Sequence, residues 1–137
     1  GAANKLDDYE TGSWTPVIEG QTTAGTYTTA YLNAKYIKIG KTVTVNCNVS
    51  YTSHTGSGLI IIQGLPFTGT TGAYNLWHGA LTVSNYALPS GTVSLTARAQ
   101  DGQTYVRLYA SKNNGAVEEL TLDSCATIQF TITYEAG

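Results

Sequence analysis

Between Val43 and Tyr51 the chain alternates without a fault. Val43, Val45, Cys47, Val49 and Tyr51 hold one phase, and Thr44, Asn46, Asn48 and Ser50 hold the other. A period of two is that of a β-strand, whose successive side chains point to opposite faces. Just before it, Ile37 and Ile39 share a phase ahead of a Gly40-Lys41 break. The chain ends on the same pattern: Ile128, Phe130, Ile132 and Tyr134 alternate with Thr127, Gln129, Thr131 and Thr133. Two long amphipathic strands of this kind demand a sheet with one buried face.

The polar faces of these strands are unusual. A strand face open to water commonly carries Lys and Glu, yet here it carries Thr, Asn, Gln and Ser. Charged residues make up only 12% of the 137 residues, about half the usual share of a soluble domain. Thr fills the gap with 22 copies, beside 15 Gly and 10 Tyr. Charge on an exposed face favours solubility, whereas a face packed against symmetry-related copies must avoid like charges meeting at the axis. Thr also suits a pleated, half-buried surface, and Thr–Thr pairs stabilise adjacent strands. We read these faces as packed in a symmetric oligomer. The alternative reading is a neutral outer surface on a secreted or virion protein.

The rest of the chain reads as short strands between Gly, Ser, Asn and Asp turns. Trp14 to Glu19 is an edge strand because of Pro16. Further strands surround Tyr27 to Tyr31, Tyr36 to Ile39, Leu59 to Ile62 and Ala73 to Val83. Thr92 to Ala99 carries Val93, Leu95, Ala97 and Ala99 inward. Asp101-Gly102 is a hairpin turn into Thr104 to Ala110, and Lys112 to Gly115 is a loop. No amphipathic helix and no internal repeat is present. Regular short strands of this kind predict a β-sandwich or barrel, and the length suits one domain.

Several functions find no support. Seven Lys and Arg, spread along a chain of net charge −2, do not make the cationic patch that nucleic acid requires. No apolar run reaches 18 residues, so no membrane insertion is expected, and no signal peptide is read. Gly1 reads as a remnant of tag removal. Cys47 and Cys125 read as free thiols, with Cys125 in a turn or on the outer phase. No CxxC or His/Cys cluster predicts zinc. Asp7, Asp8 and Glu10 lack the glycine turn and further oxygen ligands of a calcium loop, and read as solvated charge or as partners of Lys5 or Lys41. No cofactor is expected. His54 and His78 stand apart from any Ser or Cys triad arrangement. Nothing places Asp101, Glu118 or Asp123 as facing carboxylates for glycoside cleavage, so no catalytic residue is assigned.

Four stretches in order along the chain carry a resemblance: Leu6-Asp-Asp-Tyr-Glu-Thr-Gly-Ser-Trp-Thr-Pro16, Tyr36-Ile-Lys-Ile-Gly-Lys-Thr-Val-Thr-Val45, Gly64-Leu-Pro-Phe-Thr68 and Ile128-Gln-Phe-Thr-Ile-Thr-Tyr134. Together they resemble the C-terminal domain of tailed-phage tail fibres and tailspikes. Thr70 to Leu120 matches no such signature, as a recognition region that varies between phages would. The resemblance implies a homotrimeric, all-β, antiparallel sandwich of jelly-roll type at the distal end of a virion fibre. It also implies binding to bacterial surface polysaccharide, capping and trimerisation of the shaft, or both. Residues 1–12 then form an arm from an upstream shaft and 13–137 the sandwich, with Trp14 anchoring the one to the other.

A saccharide site needs aromatic surfaces with short polar groups around them. Tyr74, Asn75, Trp77 and His78 supply these types in one stretch. With Leu76 inward, Trp77 and Asn75 face outward, where a sugar can stack. The alternative is a Trp77 packed in the core or an interface. Tyr105, Arg107 and Tyr109 form a second outward stripe. There Arg107 can pair with a sugar carboxylate, or simply pack over the rings. The sequence thus predicts a non-catalytic, glycan-binding tip, and a shaft cap without glycan binding as its rival.

Overall fold

The computed structural model describes residues 9–113 and 115–137. Lys5, Asp7, Asp8, most of the expected arm, the start of the first resembling stretch and Asn114 lie outside the described residues. The two alternating segments form β4 (Thr42–Thr52) and β10 (Ala126–Glu135), paired antiparallel. Their register brings like faces together. Val43 lies opposite Tyr134, Val45 opposite Ile132, Cys47 opposite Phe130 and Val49 opposite Ile128, and all eight are buried. On the other face Thr44 meets Thr133, Asn46 meets Thr131, Asn48 meets Gln129 and Ser50 meets Thr127. Burying each aliphatic residue of the inner face contributes about 1.5–3 kcal/mol.

The remaining strands are β1 (Tyr9–Ser13), β2 (Val17–Gly20), β3 (Thr28–Ile39), β5 (Ile60–Gln63), β6 (Leu76–Ser84), β7 (Thr92–Gln100), β8 (Tyr105–Lys112) and β9 (Glu118–Glu119). All are antiparallel within one curled sheet of order β1-β3-β4-β10-β6-β7-β8-β5-β2, with β9 beside β8. The fold is all-β and antiparallel. The sheet curls as a half-barrel, and β6 marks the bend because it changes partner along its length. Leu76 to Ala80 pair with β7, and Ala80 to Ser84 pair with β10. A strand whose two halves pair on opposite sides lets the sheet turn sharply there. Gly79 sits at that bend, where a Cβ would come within 1.9 Å of the Thr131 carbonyl oxygen. Only glycine lets the two backbones approach so closely.

The curled sheet closes on one core, in which Ile18, Ile60, Ile62, Val106, Leu108 and Leu120 join the β4–β10 residues. Trp14 is buried between β1 and β2, its indole N–H shared by the carbonyls of Lys35 and Asn46 at 3.2 and 3.1 Å.

Three expectations change. First, β3 is one strand through Leu32-Asn-Ala-Lys35, with a bulge between Thr29 and Tyr31. Second, Ile37 and Ile39 lie on the outer face, 44% and 50% exposed. Gly40, at φ +60°, opens a two-residue turn that sets Ile39 opposite Thr42 and Ile37 opposite Thr44, and so on the threonine face. Third, Val93 is 66% exposed, not inward. The β7–β8 register shifts between Thr92 and Ser94, and a bulged residue loses its place in the alternation.

Candidate functional site

The outer face of β6, β7 and β8 gathers cationic and aromatic side chains in rows set by register. His78 lies opposite Arg98, and Arg98 opposite Arg107. On either side along β8 stand Tyr105 and Tyr109. The Arg98 guanidinium lies 4.0 Å from the Tyr109 ring centroid, and its Nε donates to His78 Nε2 at 3.1 Å. Burial, with Arg98 next to it, holds the His78 pKa below the usual histidine value. Arg107 donates from Nη2 to the Tyr105 hydroxyl at 2.9 Å, 5.3 Å from that ring's centroid. Its Nη1 reaches Glu119 Oε2 at 3.5 Å. Desolvation raises the Glu119 pKa, while Arg107 and Arg98 pull it down.

At the loop end of this face, Tyr74 stands 95% exposed with φ +65°. A tyrosine in the left-handed region costs free energy that the surrounding structure must offset, and such positions gather at binding sites. Asn75 braces the loop. Its carbonyl accepts the Asp101 N–H at 3.0 Å and its side-chain amide donates to the Thr70 carbonyl at 3.4 Å. Leu76, 43% exposed, lies between Tyr74 and the cationic row.

The outer face of β3, β4, β10 and the second half of β6 has a different character. Thr44 and Thr133 share a hydrogen bond of 2.9 Å, Gln129 donates to Asn48 at 3.2 Å, and Thr127 donates to Ser50 at 3.1 Å. Asn33, Asn46, Asn48, Thr82, Gln129 and Thr131 line an open depression of about 370 Å³. Lys35 is its one neighbouring charge in the paired row, its Nζ donating to Ser13 at 3.1 Å. Tyr9, Ile37 and Ile39 lie exposed at its edge.

No protein-family model matches this chain, and no curated protein is similar to it in sequence. A solved structure is similar: the Dettilon tailspike protein, gp208, matches over 92% of this chain with a TM-score of 0.69 at 20% identity. The chain shares its fold with part of that tailspike. It spans 24% of the tailspike's length.

The tailspike-like fold brings most of the sequence-predicted residues to one side. His78, Tyr105 and Arg107 share the outer face of β6–β8, with Tyr74 at its end. Trp77 does not join them. It lies on the inner phase, half-buried, its ring centroid 6.2 Å from that of Tyr134, while Leu76 faces out. Trp77, Gly79, Leu81 and Val83 occupy the inner phase, so the expected inside and outside of this strand are exchanged.

The residue missed by sequence was Arg98. A two-residue Asp101-Gly102 turn would set Arg98 opposite Tyr105. Four residues separate β7 from β8, with Gly102 at φ +68°, and Arg98 therefore meets Arg107. Among the acidic residues, Glu10 accepts from the Tyr36 hydroxyl, Asp123 from the Ala87 N–H, and Glu118 pairs with Lys112 at 2.8 Å. No cluster of three His, Cys, Asp or Glu capable of holding a cation occurs among the described residues.

Proposed function

We propose that this chain is a non-catalytic module of a phage tail fibre or tailspike that trimerises and adsorbs to bacterial surface polysaccharide, acting on the virion outside the host. The observation that carries this reading is the division of the outer surface. One half, β3–β4–β10, is Thr/Asn-rich and sparsely charged, with Lys35 and Glu135 on its outer rows and an apolar margin. The other, β6–β7–β8, is cationic and aromatic, with an unpacked tyrosine at its end. The first half suits burial against two further copies, where charge would be repulsive. The second offers apolar surface and directional donors, the two requirements of a sugar site. Three equivalent shallow sites on a trimer raise a weak affinity through multivalency. The shared tailspike fold supports the setting.

Tyr74, His78, Tyr105 and Arg107 are the residues proposed to meet the glycan, with Asn75 and Trp77 supporting the loop and strand behind them. The test is sedimentation at micromolar concentration together with adhesion to host cells and a glycan array. A trimer that binds saturably, and binds at least fivefold less well as Tyr74→Ala or Tyr105→Ala, is the expected result. A stable monomer removes the trimer from the proposal.

The structural cap remains the second reading, because Arg107 and Tyr105 already bond to each other and Trp77 packs inward. Absence of binding to a cell that the parent phage infects would establish it.

A further inference from the structure

The paired arginines of β7 and β8 are poorly balanced in charge. Like charges directly opposite one another in an antiparallel ladder oppose folding. Arg98 and Arg107 occupy such a position, and the one carboxylate in ion-pair contact with either, among the described residues, is Glu119. Glu119 touches Arg107 through a single oxygen at 3.5 Å, well short of the two parallel bonds an arginine–carboxylate pair can make. Arg107 Nε and Glu119 Oε1 are both left buried without partners. Arg98 forms no ion pair among the described residues. His78 accepts a hydrogen bond from it and is held toward its neutral form, so it adds no compensating charge. Two guanidinium groups thus share one loosely held anion.

We propose that the Arg98–Arg107 pair binds a carboxylate carried on a pyranose ring, which makes the recognised glycan acidic. This rests on the adsorption reading above. Arg98 is pre-positioned by its stacking on Tyr109 and by its Nε bond to His78, so its remaining donors are fixed at little entropic cost. The incoming carboxylate supplies the second negative charge that the pair lacks. The side toward Tyr74 offers Leu76 and Tyr105, against which an apolar sugar face can lie. That separates a sugar acid from a bare anion.

The experiment is titration of the intact domain with methyl β-glucuronide, methyl β-glucoside and inorganic phosphate. It is read by NMR on the arginine Nε–H and tyrosine ring signals. Glucuronide is expected to shift Arg98 and Tyr109 and to bind at least tenfold more tightly than glucoside or phosphate. Arg98→Gln is expected to weaken it about tenfold, and Arg98→Lys to recover only part, because an ammonium cannot make the bidentate contact. Glu119→Gln removes the competing carboxylate and is expected to tighten glucuronide binding severalfold, which a merely structural Glu119 would not do. Equal binding of all three probes, phosphate binding as tightly as glucuronide, or an unchanged affinity in Arg98→Gln overturns the inference.

Host-cell adhesion run alongside separates this from the broader reading. Glucuronide binding without adhesion keeps the carboxylate site and removes the adsorption function. Adhesion that survives both Arg98→Gln and chemical reduction of the polysaccharide's carboxyl groups removes the site and keeps adsorption.

Discussion

His54 Nε2 lies 2.7 Å from the carbonyl oxygen of Ile18, joining the loop after β4 to the edge strand β2. Gly56 N–H donates to the other ring nitrogen, Nδ1, at 2.9 Å. Nδ1 therefore accepts, and Nε2 carries the proton that Ile18 receives. The ring also stacks on Tyr27, centroids 4.8 Å apart, while the Tyr27 hydroxyl accepts the Ile18 N–H at 3.0 Å. Both backbone groups of Ile18 are thus satisfied by side chains from the segments flanking the β3–β4 hairpin. His54→Ala leaves buried groups unpaired and opens a cavity, and should cost about 3 kcal/mol. Denaturant unfolding at fixed protein concentration measures it, and a loss below about 1 kcal/mol would show that β2 is held mainly by other contacts.

Gly79→Ala tests the bend of the sheet at β6. The added methyl meets the Thr131 carbonyl oxygen at 1.9 Å and the Ile132 side chain at 2.8 Å. The first of these is backbone and cannot swing away. The expected loss is about 3 kcal/mol or more, at the upper end for overpacking. Thermal unfolding of the variant reads it. An unchanged midpoint would mean that β6 can slide off β10 without cost.

The long strands were legible because their period of two runs for nine residues or more, and β4 and β10 pair in the register that their two faces dictate. What depended on turn length was not legible. Ile37 and Ile39 alternate as core residues do, and only the two-residue Gly40-Lys41 connection reveals that they share the face of Thr44. Arg98 and Arg107 are remote in any local pattern, and a turn two residues shorter would have kept them apart. An inward Leu76 sends Trp77 outward, whereas Trp77, Leu81 and Val83 share one apolar phase, and that phase is the one the core takes. Tyr9–Ser13 carries no apolar alternation and pairs with β3 through its backbone, so its strand left no signal in side-chain pattern. Outer-face chemistry is a property of cross-strand rows, and a single sequence displays only the columns.

The two cysteines should differ sharply in reactivity. Cys47 is buried in the core and burial pushes its pKa up to about 12. Cys125 precedes β10 and is exposed. Because the thiolate is the nucleophile, maleimide at neutral pH should add one label to the native protein and two after denaturation. Intact-mass measurement distinguishes the cases. Two labels on the native protein would mean that the β3–β4–β10 layer opens on the labelling timescale.

The Arg98–His78 contact has a pH signature. The His78 pKa is lowered, first by burial and then by Arg98. Below pH about 6.5, the ordinary histidine value, the unfolded chain therefore binds a proton more readily than the folded one. The contribution of neutral His78 to stability is fully present above that pH and is lost as pH falls below it and through the lower pKa of the folded state. Arg98→Gln removes the repelling cation but not the burial, so the His78 titration midpoint should move up without reaching the unperturbed value. NMR titration of the imidazole protons measures this. A midpoint unmoved by the substitution would mean that burial alone sets it.

A charge placed on the Thr/Asn-rich face tests whether copies meet there. Gln129 is exposed, borders the depression of about 370 Å³ and bonds to Asn48 at 3.2 Å. Gln129→Glu keeps the size of the side chain and its strand, so the folded subunit should lose little. In a trimer it brings three like charges around an axis. At about 10 Å separation and an effective dielectric of about 20, each pair repels by roughly 1.7 kcal/mol, or about 5 kcal/mol for three. A penalty of about 5 kcal/mol weakens association by more than about a thousandfold. On the proposed trimer, ultracentrifugation should find that Gln129→Glu associates only at far higher concentration than the unsubstituted chain, with association partly restored by high salt through screening. Retention of the trimer at an unchanged dissociation constant would move the interface off this face, to the apolar margin of Tyr9, Ile37 and Ile39. There the matched test is Ile37→Asp.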